Sequence, residues 1–111
     1  MTEPTSPGND FSEPFDLRAF QTHIGRTFGA KDAERGIAGT FMYFMEEVGE
    51  LAEALREPEC HDLPGEFADV QAWLTSLAHL AGIDLAAVTA QKYPAHCARC
   101  GVSPCRCASK P

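Results

Sequence analysis

Apolar side chains recur along this chain at steps of three and four residues, with no alternating strand pattern. Leu17, Phe20, Ile24 and Phe28 form the first series and predict a helix over about 15–28, weakened by Gly25 and stopped by Gly29. Residues 29–39 lose the pattern, contain Gly36 and Gly39, and read as a loop or a frayed helix start. The clearest series is Phe41, Phe44, Met45, Val48, Leu51, Ala52 and Leu55, one face of an amphipathic helix. It ends at Glu57-Pro58, because the residue before a proline is driven out of the helical region. A polar connection over 58–64, closed by Pro64 and Gly65, leads to a second face made by Phe67, Val70, Leu74, Leu77, Ala78 and Ala81, with Gly82 as its stop. Asp84 is placed to cap a short last helix from Leu85 to about Tyr93, ended by Pro94. The fold class expected is all-α, with helices joined by short turns as in a bundle.

Composition divides the chain. Residues 1–14, rich in Pro, Gly, Ser and acids, read as a disordered tail; 15–94 read as one helical domain, and 95–111 as a Cys-rich tail. A single domain in a chain of 111 residues is only marginally stable alone, so a metal, an oligomer or both is expected to help it. The net charge of -7, with no basic patch, argues against a nucleic-acid polymer as partner. No apolar run approaches the ~20 residues of a membrane span, and the N-terminus lacks a charged-then-apolar signal. The expectation is a soluble, cytoplasmic protein with no membrane partner.

Acids stand against both strong apolar faces. At about 100° per residue, with the first stripe centred on Val48, Glu47 falls about 100° and Glu50 about 160° to one side. With the second centred on Leu74, Glu66 and Asp69 fall about 80° and 140° to the same side. If the two faces pack antiparallel, four carboxylates border one groove. They repel unless cations lie between them, and all-oxygen ligation suits Mg²⁺ or Mn²⁺. An ion held this way also explains how an acidic protein can bind a polyphosphate. Glu46, Glu53 and Glu57 lie on the far side of the wheel, as solvated acids do. Trp73, on the flank of Glu66 and Asp69, is either core or a platform for a flat ring.

The stretch EEVGELAEAL followed by EFADVQAWL resembles the MazG-type nucleotide pyrophosphohydrolases of the all-α NTP-pyrophosphatase superfamily. Their EExxE and ExxD signature reads here as Glu46-Glu47-x-x-Glu50 and Glu66-x-x-Asp69. The resemblance covers about residues 15–93 and implies a four-helix-bundle-like MazG fold, working as a homodimer or homotetramer with a cleft partly shared between subunits. It implies a substrate and a reaction: a nucleoside triphosphate cut between its α and β phosphates. Glu47, Glu50, Glu66 and Asp69 would bind Mg²⁺. Glu46 and Glu47 would be the catalytic acids, Glu46 as a supporting group or one that orients the attacking water. Lys31, Arg35 and Lys92 are candidates for holding phosphate oxygens, each with the alternative of a plain surface cation.

The tail adds a second chemistry. Cys97-x-x-Cys100-Gly is the turn that metal knuckles use, and Cys105-x-Cys107 supplies two more thiolates. Four soft ligands suggest a closed structural Zn²⁺ site, a small Cys-rich C-terminal metal knuckle, with His96 or a second subunit as a substitute donor. Cys60-His61 reads as structural or incidental, and His23 and His79 as ordinary helix residues. The competing reading of the whole chain is a non-catalytic, zinc-stabilised helical interaction module. A di-iron bundle would need Glu-x-x-His pairs, which neither Glu50 nor Glu66 provides, and a cysteine enzyme would need a histidine partner.

Overall fold

A computed structural model describes residues 14–111; the expectation for the N-terminal tail otherwise lies outside the described residues. Among them the chain is all-helical, with α1 over Leu17–Arg56, a short 3₁₀ turn over Pro58–Cys60, α2 over Leu63–Leu80 and α3 over Leu85–Lys92. No single helix among them is long and apolar enough to cross a membrane.

Helix α1 corrects the expected stop at Gly29. The helix runs through Gly29 and breaks at Gly36, which takes φ 84° and ψ 169°, a conformation open essentially only to glycine. Gly25 is needed for space, since a Cβ there would come 2.8 Å from Cε1 of His79, whereas one on Gly29 would lie 3.6 Å from its Nε2, an ordinary contact. Glycine at position 25 lets α2 approach closely, which outweighs its poor helix propensity.

The other ends follow from local chemistry. Asp16 caps α1 by accepting from the Ala19 amide at 2.8 Å, and Asp84 caps α3 by accepting from Ala87 at 3.1 Å. Helix α2 begins earlier than expected: Asp62 caps it by accepting from Gly65 at 3.2 Å, so Pro64 and Gly65 belong to its first turn instead of closing the loop. Proline is tolerated there because the amides of a first turn have no helical acceptor.

Contacts between α1 and the later segments run in opposite chain directions. Gln21 donates to the Ile83 carbonyl at 2.7 Å, Gly25 faces His79, Asp32 accepts from Ser76 at 2.7 Å, and Tyr43 stacks on Trp73. Helix α2 therefore lies antiparallel along both halves of α1. A straight 40-residue helix would be about 60 Å long. The longest dimension of the molecule is 47 Å, because the break folds the halves around α2.

The expected core is only partly closed. Val48, Leu51, Val70 and Leu77 are half-buried, and among the described residues the buried apolar ones are Ile24, Ala54 and Ala78. Phe41, Met45, Leu55, Phe67 and Leu74, all placed on core stripes by the sequence pattern, are exposed in the single chain. The three helices of one chain do not supply enough surface to cover both stripes.

Candidate active site

The antiparallel pairing brings the second half of α1 against the start of α2. Carboxylate oxygens of Glu47, Glu66 and Asp69 all lie within 4.8 Å of one another. Glu47 and Glu66 are half-buried, and Asp69 is exposed. Glu47 and Glu66 each hold one oxygen, Oε1, shut off from solvent and without a hydrogen-bond partner. A buried carboxylate oxygen with no donor is costly to the fold, and a hard cation is the ligand that such a donor set fits.

Both carboxyls are held above the usual range. Burial is the main cause at Glu47, followed by the negative fields of Glu50, Asp69, Glu66 and Glu46. At Glu66 burial again leads, then Glu50, Asp69 and Asp62, while His61 pulls the other way. The α2 N-terminus, where Glu66 lies in the first turn, favours negative charge, but burial and these neighbours together outweigh it. Glu50 is exposed and is not one of the three within 4.8 Å, yet it is the largest negative neighbour of both buried carboxyls. Glu46 is exposed, and among the charged neighbours of Glu47 it acts least. His61, read from the sequence as structural or incidental, stands close enough to Glu66 to matter. It precedes the α2 cap, and its position follows only from the chain folding back there.

A second constellation lies further along the same groove. Tyr43 and Trp73 stack with centroids 5.1 Å apart and planes tilted by 16°. The Arg35 guanidinium lies 4.9 Å from the Trp73 centroid and 5.5 Å from that of Tyr43. Arg35 also donates to Asp32 at 2.8 Å and to Thr40 at 3.1 Å, bridging the break at Gly36. Asp32 is 2% exposed and accepts from Ser76 as well. Arg35 thus already has internal partners, and its stem runs so close to Gly39 that a Cβ there would meet its Cγ at 2.8 Å. Asp32 was not legible as a site residue, because the expected loop over 29–39 hid the register that joins it to α2, and Tyr43 falls outside the apolar series of Phe41, Phe44 and Met45. Lys31 and Lys92 are exposed, and neither forms an ion pair among the described residues.

The profile of the MazG nucleotide pyrophosphohydrolase domain matches residues 36–98. The chain belongs to this family. The match opens at the glycine that breaks α1 and contains all five acids of the Glu46–Glu50 and Glu66–Asp69 pattern. No curated protein matches the chain. As a MazG domain it falls among the nucleotide pyrophosphohydrolases, whose members act on nucleoside triphosphates and generally use a divalent metal.

The MazG domain ends near Cys97, and the cysteine cluster extends beyond it. Sγ atoms of Cys97, Cys100, Cys105 and Cys107 lie within 4.8 Å of one another, all from one chain, so neither His96 nor a second subunit is needed to complete the set. Amides of Cys100 and Arg99 lower the Cys97 thiol to about 6, and those of Arg106 and Val102 lower Cys100. Hydrogen bonding to the Cys105 sulfur, with burial, pushes Cys107 up to about 12.

Proposed function

We propose that this MazG chain is a Mg²⁺-dependent (Mn²⁺ serving in its place) nucleoside triphosphate pyrophosphohydrolase. Water attacks the α phosphorus, the α–β bridging oxygen departs with pyrophosphate, and the other product is the nucleoside monophosphate. The observation that carries the reading is the trio of carboxylates within 4.8 Å, two of them with a buried oxygen that nothing satisfies.

Glu47, Glu66 and Asp69 would hold the metal directly, with Glu50 completing the set from the solvent side. Bound there, the metal would screen phosphate charge, polarise the phosphoryl group and make water more acidic. Glu46, exposed at the edge of the cluster, would orient the attacking water. Its carboxylate accepts a hydrogen bond from water without competing for the buried oxygens. Lys92 and Lys31 are the exposed cations proposed to meet phosphate oxygens. Arg35 serves instead as a buttress, holding the Tyr43–Trp73 pair in place, and Trp73 presents an aromatic face on the flank of the acids for a nucleobase.

Single-chain geometry also supports a homodimer or homotetramer. Ile37, Phe41 and Met45 lie one turn apart on α1 and remain about half exposed, at 54%, 48% and 47%. A second copy would cover them and close the cleft.

The test is a pyrophosphate-release screen across ribo- and deoxynucleoside triphosphates with Mg²⁺ and with Mn²⁺, run beside Glu66→Gln. Turnover is expected for the wild type, and a loss of at least ~100-fold for the variant, which removes a metal ligand. Equal rates for both proteins, or no release from any triphosphate, would defeat the proposal and favour the non-catalytic module.

A further inference from the structure

The MazG match stops at residue 98, so three of the four clustered cysteines lie outside the family domain and need their own explanation. From Tyr93 onward the chain forms neither helix nor strand, and nearly all of it is exposed. A segment with so little buried surface cannot offset its ordering entropy by packing. It nevertheless folds back tightly: Cys97 donates its amide to the Val102 carbonyl at 3.0 Å, and Gly101 donates to the Cys97 carbonyl at 2.7 Å. Gly101 takes φ 78°, which lets the chain reverse directly after Cys100.

The sulfurs have the spacing of a single coordination sphere. Four thiolates about 2.3 Å from one ion stand about 3.8 Å apart along the edges of a tetrahedron. The Cys97–Cys107 and Cys100–Cys105 separations are 3.9 and 4.0 Å. A multi-iron cluster would hold its cysteines further apart. Backbone amides point at the sulfurs as they do around metal-bound thiolates: Cys100 to Cys97 at 3.5 Å, Arg106 to Cys100 at 3.4 Å, and Cys107 to Cys105 at 3.2 Å. Cys100 and Cys105 are exposed, with no apolar shell of the sort that tunes a redox iron.

We propose that Cys97, Cys100, Cys105 and Cys107 of one chain bind one Zn²⁺ as a closed, four-sulfur structural site that folds residues 95–107, independently of the carboxylate site. Each thiol that is protonated beforehand releases its proton as its Zn–S bond forms, and nothing is oxidised or reduced.

Full-length protein purified under reducing conditions without chelator should carry about one zinc per chain by elemental analysis. Replacement with Co²⁺ should give sulfur-to-cobalt charge-transfer bands and the d–d pattern of a tetrahedral four-sulfur site. Cys97→Ser/Cys107→Ser should lose the zinc yet keep the helical circular dichroism. If that variant does not fold, mercurial titration of the wild type should release one zinc per chain, with loss of order confined to 95–107 in amide NMR spectra. Fully reactive thiols with negligible zinc, two disulfides by mass, or iron in place of zinc would each overturn the proposal. Magnesium dependence of catalysis does not enter any of these readouts.

Discussion

Gly36→Ala tests whether the break in α1 is built into the fold. Residue 36 has φ 84° and ψ 169°, and an added Cβ would meet no atom within 4 Å, so crowding contributes nothing. The cost is backbone strain, about 1–3 kcal/mol for a side chain held in that region. The smaller conformational freedom of unfolded alanine gives back about 0.4–1 kcal/mol. The net loss is then about 0.5–2 kcal/mol, which at about 4–8 °C per kcal/mol lowers the melting temperature by several degrees or more. Escape by straightening is closed, because the helix would have to give up the 3.1 Å Arg35–Thr40 bond and pull either Asp32 from Ser76 or Tyr43 from Trp73. Gly49→Ala is the control. Gly49 lies in the same helix, is exposed and also has nothing within 4 Å of an added Cβ, but it has helical geometry. That change should stabilise by about 0.8–1 kcal/mol. Thermal melts at one fixed protein concentration read both variants, since association shifts melting temperatures. Opposite signs are expected. A Gly36→Ala protein that melts at or above the wild type would refute the argument.

Two further outcomes follow from the acids and from the open core. Burial and the Glu50 field raise the Glu47 and Glu66 carboxyls above 4.5, so their contribution to stability is complete below about 4.5, the unfolded value, and is lost as pH rises through the folded values. Mg²⁺, which needs the ionised forms, should therefore raise the melting temperature strongly near pH 7.5 and progressively less toward pH 5; a shift that grows on acidification would contradict this. Phe41→Glu together with Met45→Glu changes residues that are 48% and 47% exposed in one chain, so circular dichroism should hold while the mass by light scattering falls from a dimer or larger to a monomer. A wild type already monomeric at micromolar concentration would remove the case for a covered face.

What the chain's own order determined is local. Periodic apolar residues specify helices because a helix repeats every few residues, and so Phe41 to Leu55 and Phe67 to Ala78 were legible without coordinates. The cap at Asp84, the shared flank of Glu47, Glu66 and Asp69, and the knuckle turn at Cys97-x-x-Cys100-Gly were legible too, because each is set by local geometry within its own segment. Tertiary structure decided what depends on a distant partner. Gly29 stays helical, with His79 beside it and with Asp32 and Arg35 reaching Ser76 and Trp73 of α2, and the break falls instead at Gly36. Asp32 can be buried only because Arg35 and Ser76 arrive from opposite sides of the groove. The gathering of all four sulfurs in one chain was likewise beyond spacing alone. Whether an apolar stripe is covered depends on how much surface the rest of the molecule can bring to it, and for Phe41, Met45, Phe67 and Leu74 a single chain does not bring enough.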